Sequence, residues 1–425
     1  MEFLLVLTFV VGYAAIALEH KIRINKAASA LLTGTICWTI FILYQPDKAA
    51  VTHQLMDHLG EISGILFFLL GAMTMVELID AHDGFHLITE RIKTKKAVNL
   101  LWLIGLITFF LSAVLDNLTT TIVVVSLLRK IIDDKEIRAY FVGMTVIAAN
   151  AGGAWSPIGD VTTTMLWIGG QVTAKGIMSE VFLASVVCLL VPLTFLSWQL
   201  KGKILATVES DDASANATAF ERNTVFGIGL GALLFVPVFK TVTHLPPFMA
   251  ILFGLGCMWV ITELIHSEKD TADKDLRSVV YALRKIDTPS ILFFLGILIS
   301  IAALESSGQL RQLALWLTQN IGNETVIVGT LGLLSSLVDN VPLVAAAQGM
   351  YTLAEYPTDG FFWSFLAYAT GTGGSILIIG SAAGVAAMGM EKIEFFWYLK
   401  RIALLALLGY AAGCMAYVCQ YSLLN

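Results

Sequence analysis

Charged residues are scarce in this chain: Asp, Glu, Lys and Arg make up 14% of its 425 residues, against about 25% in soluble globular proteins. Together with a hydrophobic content of 57%, this scarcity excludes an ordinary soluble domain and predicts many apolar stretches of membrane-spanning length. The chain also lacks a basic stripe with interleaved aromatic residues, so no nucleic-acid partner is expected.

Two further absences narrow the function. The chain has no HExxH or Gly-x-Ser-x-Gly motif and no histidine inside a predicted span. This argues against an intramembrane enzyme, and we expect neither enzymatic activity nor a cofactor. No CxxC pair is present and every cysteine lies in an apolar segment, which predicts small core residues rather than disulfides or metal ligands. The cysteines are Cys37, Cys188, Cys257, Cys414 and Cys419.

The apolar segments predict an all-α polytopic membrane protein. The N-terminal segment carries Glu2 and no positive residue before its apolar run, so it is predicted to be a first spanning helix rather than a signal peptide. Spanning helices are predicted near residues 3–18, 27–44, 62–79, 139–169, 180–200, 224–241, 248–266, 290–304, 360–388 and 395–420.

Two further apolar regions, 99–130 and 324–355, are each interrupted at the centre by an Asp-Asn pair. We predict that each is a re-entrant hairpin with this pair at its tip. Segments 81–94 and 308–320 are amphipathic and are predicted to lie along the membrane interface. Segment 201–223 is polar and is the predicted linker between two halves of the chain.

The distribution of Lys and Arg predicts the orientation in the membrane. If the loop after the first span is cytoplasmic and region 99–130 enters and leaves on the same side, nearly all 26 basic residues lie inside. A full crossing by 99–130 would scramble this bias, so the charges favour a re-entrant hairpin. The outside then holds only Lys48, Lys175, Lys240 and Arg311.

An internal repeat relates the two halves, because three landmarks recur in the same order at nearly one spacing. They are ILFFL at 65–69 and 291–295, Leu115-Asp116-Asn117 with Val338-Asp339-Asn340, and Gly152-Gly153 with Gly373-Gly374, at offsets of 226, 223 and 221 residues. The first hairpin is predicted to open from the cytoplasm and the second from outside. The halves are therefore predicted to be inverted copies, which places substrate and ion sites near the membrane midplane.

The repeat also predicts the domain organisation. Each repeat contains a hairpin followed by a long helix that is broken in the membrane, over 139–169 in the first and 360–388 in the second. The predicted parts are N-terminal scaffold helices over 1–61, the first repeat over 62–200, the linker over 201–223, connecting helices and a cytoplasmic loop over 224–287, and the second repeat over 288–425.

Oxygen-bearing side chains concentrate at the hairpin tips and at the helix breaks. Charges inside a membrane usually face a cavity or a partner, and a set of carboxylate, amide and hydroxyl oxygens suits a hard cation. The breaks are predicted at Gly152, Gly153, Pro157, Gly373 and Gly374, where backbone carbonyls are freed. The candidate ligands are Asp116, Asn117, Thr119, Asn150, Ser156, Asp160, Thr162, Thr163, Ser335, Asp339, Asn340 and Ser375.

Simpler roles exist for the same residues. Asp116, Asp160 and Asp339 could act only as helix caps, although Asn or Ser would cap without the cost of burying a charge. The glycine pairs could equally be sites of close helix packing, because small residues are common where membrane helices meet.

The motifs LDNLTTT, NAGGAWSPIGDVTTTML, SSLVDNVPLVAA and GTGGSILIIGSAAG, in this order along nearly the whole chain, resemble those of the NhaD-type sodium/proton antiporters. That group belongs to the ion transporter superfamily, which also contains arsenite and dicarboxylate carriers. The resemblance implies a homodimer with a scaffold part and a mobile transport part that carries both hairpin tips. It implies an ion path at or near Asp116, Asn117, Asn150, Asp160, Thr162, Thr163, Ser335, Asn340 and Ser375.

These observations predict a secondary antiporter that exchanges Na+ or Li+ for H+ in a plasma membrane, which we expect to be a bacterial inner membrane. The alternative is a carrier of an anion such as arsenite or a dicarboxylate. Dicarboxylate relatives carry Ser-Asn-Thr at the hairpin tips, where this chain has an acid. An anion site also needs a positive group or open helix N-termini, and 99–128, 139–174 and 324–391 contain no Lys or Arg.

The repeat predicts which half binds the cation. Asp160 has no acidic counterpart in the second repeat, because Ser381 stands at the matching position. We therefore expect the first repeat to bind the exchanged ion and Asp339 to be mainly structural or a secondary coupling group. The Na+ site is predicted at Asp116, Asn117, Asn150 and Asp160.

Overall fold

The computed structural model describes residues 1–85, 94, 96–204, 218–266, 277–337 and 339–424. Within these residues all regular structure is helical, apart from a single bridge between Lys96 and Ile204. The predicted all-α class is confirmed. Most of the amphipathic segment 81–94, most of the linker 201–223 and the first half of the loop 267–287 lie outside the described residues.

The helices of the first half follow the chain from the N-terminus to the end of the first predicted repeat. They are α1 (Glu2–Ala17), α2 (Glu19–Ile22), α3 (Lys26–Tyr44), α4 (Lys48–Ala81), α5 (Ala97–Leu115), α6 (Asn117–Ile131), α7 (Lys135–Ala154), α8 (Val161–Ile168) and α9 (Ala174–Gln199).

The helices of the second half begin after the linker. They are α10 (Ala219–Thr243), α11 (Pro247–Ile265), α12 (Val279–Lys285), α13 (Thr288–Ser306), α14 (Gln309–Asn320), α15 (Glu324–Leu334), α16 (Asn340–Met350), α17 (Phe361–Gly373), α18 (Ala382–Glu391), α19 (Phe395–Arg401) and α20 (Ala403–Leu424).

Eight helices of the described chain are long and apolar enough to cross a membrane. The protein is therefore a multi-pass membrane protein, as the composition predicts. The eight are α3, α4, α5, α9, α10, α11, α13 and α20, with α20 counted over Ala403–Leu423.

Two predicted spans differ most from the helices of the structure. Helix α4 begins at Lys48 rather than near residue 62, because its first turns carry polar residues such as His53 and Asp57 that hide a helix from a hydropathy reading. The predicted span 395–420 is two helices, since α19 ends at Arg401 and α20 starts at Ala403.

Each region with an Asp-Asn pair folds as two helices instead of one. Helices α5 and α6 are separated by Asp116 and correspond to the first predicted hairpin, residues 97–131. Helices α15 and α16 correspond to the second predicted hairpin, residues 324–350, with Asp339 as the N-cap of α16. Pro342 lies in the first turn of α16, where a missing N–H costs no helical hydrogen bond.

Both long helices that follow the hairpins are interrupted. The first break, residues 155–160, separates α7 from α8, and the second break, residues 374–381, separates α17 from α18. Every residue from Tyr140 to Ala154 and from Phe362 to Gly373 is buried. The two broken helices therefore form the centre of the molecule and carry their breaks into it.

The two glycine pairs lie at different places relative to the breaks: Gly152 and Gly153 are inside α7, whereas Gly374 is the first residue after α17. Helix α7 continues through Gly152 to Ala154, and Gly373 is the last residue of α17. A Cβ atom on Gly152 would overlap the carbonyl oxygen of Phe109, and one on Gly373 would overlap that of Gly332. Each broken helix thus lies backbone to backbone against the first leg of its hairpin, and the break follows within the next turn.

Equivalent contacts hold the two hairpins against the two broken helices. Ser112 in α5 donates to the Ala149 carbonyl at 2.6 Å, and Ser335 at the end of α15 donates to the Thr370 carbonyl at 2.8 Å. These serines, like the glycines, are related by the offsets of the internal repeat. The repeat in the sequence therefore corresponds to a repeat of contacts.

Polar pairs between distant segments join residues that the basic-residue count assigns to one side of the membrane. On the predicted cytoplasmic side Arg138 contacts Glu391, and Lys285 lies 3.5 Å from Glu77. On the predicted outer side Arg311 pairs with Glu355, and Asp359 accepts a hydrogen bond of 2.7 Å from the Thr173 hydroxyl. The orientation itself stays a prediction.

Candidate ion-binding site

Asp160 is the centre of a buried polar cluster formed by both hairpin tips and the first break. It precedes α8 as its N-cap and is 1% exposed. Its carboxylate accepts hydrogen bonds from the Thr162 backbone N–H at 2.9 Å and the Thr162 hydroxyl at 2.7 Å. Asn117 donates to it at 2.6 Å, and Asn340 donates at 3.3 Å to the same oxygen.

A second layer extends the cluster to the second break. Asn150, which is fully buried in α7, accepts from Asn117 at 3.0 Å and donates to the Ser381 hydroxyl at 3.0 Å. Ser381 is the N-cap of α18 and accepts from the Gly384 N–H. Four structural elements, two hairpin tips and two helix breaks, therefore meet at one continuous set of amide, carboxylate and hydroxyl groups.

Asp116 lies at the tip of the first hairpin in a strained backbone conformation. Its φ is 78° and its ψ is 160°, a region that residues with a side chain seldom occupy. The carboxylate accepts from the Thr119 N–H and from the Thr119 hydroxyl, both at 2.8 Å. The strain is compensated by this double cap, which leaves the carboxylate at the edge of the cluster rather than inside it.

Asp116 and Asp160 share a small cavity of about 20 Å3. Its remaining lining is mostly apolar, from α4, α5, α8 and α10, including Phe68, Leu69 and Leu233. A space of this size holds a single water-sized species. Two carboxylates that line one small, mostly apolar space can bind a small cation there, because the ion would compensate their charge.

Asp339, the acid at the second tip, has different surroundings. It caps α16 by accepting from the Val341 N–H at 3.2 Å, and its Oδ2 lies 4.0 Å from the Lys26 ammonium nitrogen. No basic side chain that the structure describes forms such a pair with Asp116 or Asp160. The two tips have the same Asp-Asn sequence, but only the acid of the second tip has a basic side chain beside it among the described residues.

The other candidate hydroxyls hold the backbone of the breaks. Ser156 donates to the Ala113 carbonyl at 2.5 Å, and Thr163 donates to the Asp160 carbonyl at 2.9 Å. Ser375 donates to the Thr372 carbonyl at 2.6 Å. Together with Ser335, these residues lie beside the cluster and position its elements. Pro157 lies in the first break, where its carbonyl accepts from Thr164.

Sequence reasoning missed two residues near the cluster. The sequence offers Ser381 only as one of several hydroxyl residues at the second break and as the position that matches Asp160, without placing it among the ion ligands. Lys26 was counted as a loop charge, and no local signal indicates that it contacts Asp339. The hydroxyls of Thr120 and Thr121 are also buried and have no hydrogen-bond partner in the described part of the chain.

A larger cavity, which we call the vestibule, lies between the first tip and the N-terminal ends of α3 and α13. It has a volume of about 440 Å3, and its lining includes Thr119, the residue that donates to Asp116. Its charged lining contains four acids and two bases, so its net charge is negative when all are ionised. They are Glu19, Glu77, Asp80, Asp287, Lys26 and Lys285.

The ligand types suit a hard cation bound by oxygen atoms. Within the ranges that the structure describes, no three His, Cys, Asp or Glu side chains come together as they would around a typical protein-bound metal. The cluster instead offers two carboxylates with neutral amides and hydroxyls around them. Each Asn amide can present its nitrogen to a carboxylate or its oxygen to a cation. The same residues can therefore serve the site both with and without a bound cation.

Comparisons with known proteins agree with this chemistry. A family model described as citrate transporter matches residues 5–373. Sodium/proton antiporter 1 of Arabidopsis thaliana is 49% identical over 417 residues, which cover 98% of this chain and 72% of that protein. Sodium/proton antiporter 2 of the same plant is 45% identical over 418 residues, which cover 98% and 99%.

A bacterial relative shares the same length of sequence at lower identity. The Na+/H+ antiporter NhaD of Vibrio cholerae is 29% identical over 450 residues, which cover 97% of this chain and 90% of that protein. The match extends over both hairpins and both breaks. The chain therefore belongs to the NhaD-type sodium/proton antiporters, within the transporter family described by the citrate transporter model.

Proposed function

We propose that this protein is a secondary antiporter that exchanges Na+ or Li+ for H+ at Asp160 and Asp116. One observation carries the proposal: two carboxylates without a basic partner among the described side chains face a cavity that fits one small ion. The names of the relatives, sodium/proton antiporter and NhaD, support the same exchange.

The proposed mechanism is competition for the same carboxylate oxygens. An ionised carboxylate in an apolar space is costly unless a proton or a cation compensates its charge. Sodium binds the ionised form and the proton binds the same form, so each displaces the other. If the site faces one side of the membrane and then the other, this competition converts a proton gradient into outward movement of sodium.

The amides of Asn117 and Asn340 give the competition a structural basis. Both donate to Asp160 in this structure. When a cation occupies the cavity, rotation of either amide would replace its nitrogen by its oxygen and turn a donor into a ligand. The cation would then be bound by carboxylate and amide oxygens, and rotation of Asn117 would give up its hydrogen bond to the Asn150 oxygen.

An anionic substrate is the alternative that the citrate transporter description raises. The cluster opposes it, because an anion would meet Asp116 and Asp160 without an unpaired positive group. Lys26 is the basic side chain that reaches a hairpin tip, and it faces Asp339. Arsenite or a dicarboxylate therefore remains the second candidate, supported by family relationship rather than by these contacts.

We further propose that the two halves are inverted repeats with re-entrant hairpins and that the protein is a homodimer. The repeated serine and glycine contacts, and the pairing of residues predicted on one side, support the inverted arrangement. The homodimer rests on the family resemblance. The protein would act in a plasma membrane, which we expect to be a bacterial inner membrane, and would not be an enzyme.

Purified protein in liposomes that enclose a pH-sensitive dye tests the function. External Na+ or Li+ should enter in exchange for internal protons and raise the internal pH, whereas K+ at the same concentration should have a smaller effect. External citrate is the matched test of the alternative. Uptake of citrate without any Na+-dependent proton movement would overturn the proposal.

A further inference from the structure

The surroundings of the two hairpin tips differ in a way that the repeat does not predict. Asp116 and Asp339 are related by the internal repeat, and each caps the second leg of its hairpin. Asp116 faces a cavity that it shares with another carboxylate, whereas Asp339 faces an ammonium group. Lys26, which comes from α3 and lies outside the predicted repeats, creates this difference.

Lys26 is held in place by two side-chain contacts and one backbone hydrogen bond. Its nitrogen lies 4.0 Å from the Asp339 carboxylate and 4.5 Å from the centroid of the Phe293 ring, and its backbone N–H donates to Glu19 at 3.0 Å. Only a quarter of the side chain is exposed. An ammonium between an aromatic face and a carboxylate gains from both the ring quadrupole and the ion pair.

The remaining acids of the vestibule have other contacts of their own. Glu77 lies 3.5 Å from Lys285, and Asp287 accepts from Ser290 at the start of α13. Asp80 also has an interaction within the protein. Lys26 lines the same vestibule, and its ammonium forms its ion pair with Asp339 of the second hairpin.

The charge balance at the tips follows from this placement. Asp116 and Asp339 lie at the two hairpin tips, and Asp160 lies at the first break. Asn340, the residue after Asp339, donates a hydrogen bond to Asp160 and so connects the second tip to the break. Each unpaired carboxylate there requires a proton or a cation when water is excluded. Lys26 supplies one permanent positive charge and thus leaves two carboxylates for exchange.

We propose that Lys26 is a fixed counter-ion that withholds Asp339 from the exchanged ions and so determines how many cations the site binds. The proposal rests on the proposed exchange at Asp116 and Asp160. Lys26 is a positioning residue, because it acts on the ions through Asp339. Without its charge, Asp339 becomes an additional group for which Na+ and H+ compete.

The test uses purified protein in liposomes, with Na+-driven proton movement measured over a range of Na+ concentrations at alkaline pH. Lys26→Gln removes the charge but keeps much of the side-chain length. We expect a steeper Na+ dependence, with a Hill coefficient raised by up to one. The half-saturating Na+ concentration should fall about fivefold, a change within the range of the free energies contributed by ion pairs near a protein surface. Lys26→Arg keeps the charge and should retain the parental curve.

The double variant Lys26→Gln/Asp339→Asn separates the proposal from a structural role. It removes both charges together, so its Na+ dependence should return toward that of the parent. A Lys26→Gln variant that keeps the parental Hill coefficient would overturn the proposal. A folded double variant would also overturn it if its Na+ dependence departs from the parent by as much as the effects of Lys26→Gln and Asp339→Asn added together. If Lys26→Gln does not fold, a folded double variant whose Na+ dependence departs from that of the parent still overturns the proposal.

Failure of the proposed function gives a different result. In that case the parental protein itself moves no protons when Na+ is added. A parent that exchanges Na+ for H+ but is insensitive to the Lys26 charge leaves the antiport intact and overturns only the role of Lys26.

Discussion

Asn117 donates from its side-chain nitrogen to the Asp160 carboxylate at 2.6 Å, and this bond joins the first hairpin tip to the start of α8. The same nitrogen lies 3.0 Å from the Asn150 oxygen. A single amide thus links a hairpin, both sides of the first break and, through Asn150, the second break. Any ion that displaces this amide must affect all of these elements.

Removal of the central charge should abolish exchange. Asp160→Asn and, separately, Asp116→Ser should eliminate Na+-dependent proton release while expression and the proposed dimerisation remain intact, because the ion loses a carboxylate that has no replacement nearby. Proton release from everted membrane vesicles measures the effect. Asp47→Asn is the matched control, since Asp47 caps α4 at an exposed position. Unchanged exchange in both site variants would contradict competition at these carboxylates.

The two hairpin tips should differ in their sensitivity. Asp339→Asn keeps the cap of α16, worth about 1 kcal/mol in ordinary hosts, and removes a charge that faces Lys26. It should therefore weaken transport less than Asp116→Asn and shift the pH dependence less. Apparent Na+ affinity across pH compares the two. Greater damage from Asp339→Asn would assign the cation to the second tip.

The orientation can be tested with cysteines at exposed positions on opposite sides. In a background with the exposed Cys419 replaced by Ser, Lys135→Cys and Arg284→Cys should react only with cytoplasmic reagent, and Ala354→Cys only with external reagent. A membrane-impermeant maleimide applied to cells and to everted vesicles reports the side. If Lys96→Cys and Lys135→Cys react from opposite sides, the first hairpin crosses the membrane and the inverted arrangement fails.

Lys240 should support Asp160 from the other end of α8. Its ammonium donates to the Trp167 carbonyl at 2.5 Å and lies 4.3 Å from the Trp167 ring centroid, so it stabilises the helix end opposite Asp160. Lys240→Met should raise the half-saturating Na+ concentration by about two- to tenfold, the range expected for a partly buried cation at a helix C-terminus.

Two controls accompany this measurement. Lys175→Met removes an exposed lysine on the same predicted side and should leave the Na+ dependence unchanged, whereas Lys240→Arg should preserve it. Equal effects of Lys240→Met and Lys175→Met would attribute the change to surface charge instead of α8.

The burial of His82 should make the folded protein less stable at acidic pH. It follows α4, is fully buried, and contacts the Leu78 carbonyl at 2.7 Å. Burial lowers the pKa of His82 to about 4, from 6.5 for the free group. Between these pH values the unfolded chain binds a proton that the folded protein does not, so stability falls as the pH drops from 6.5 to about 4.

Thermal unfolding of the detergent-solubilised protein checks this prediction. His82→Gln should reduce the fall in Tm between pH 6.5 and about 4, while His53→Gln, at an exposed histidine, should not. An identical acid dependence in parent and His82→Gln would contradict it.

The convergence of the tips and breaks illustrates what the sequence can predict. Asp116, Asn117, Asp160 and Asn340 stand out because polar residues are costly in apolar segments, so their burial near one another follows from solvation alone. The spacing of the repeat then places each of them on a hairpin or at a break. The contacts of Asp160 with Asn117 and Asn340 agree with that expectation.

The partner of Asp339 could not be predicted in the same way. Lys26 follows a loop that carries other basic residues, and its side chain contacts Asp339 only because α3 packs along α13 and beside the second hairpin. Such a contact depends on helix packing between distant parts of the chain. The residue at which α7 ends could not be predicted from the glycine pair either, because Gly152 and Gly153 permit close packing without ending the helix.

The backbone contacts of Gly152 and Gly373 limit how the protein can move. Because no side chain separates α7 from α5 or α17 from α15 at these points, neither broken helix can slide past its hairpin without a clash between main chains. These contacts favour movement of each hairpin together with its broken helix. Exposure of the ion to the opposite side would then change the side-chain contacts that these helices make with α4, α10 and α13.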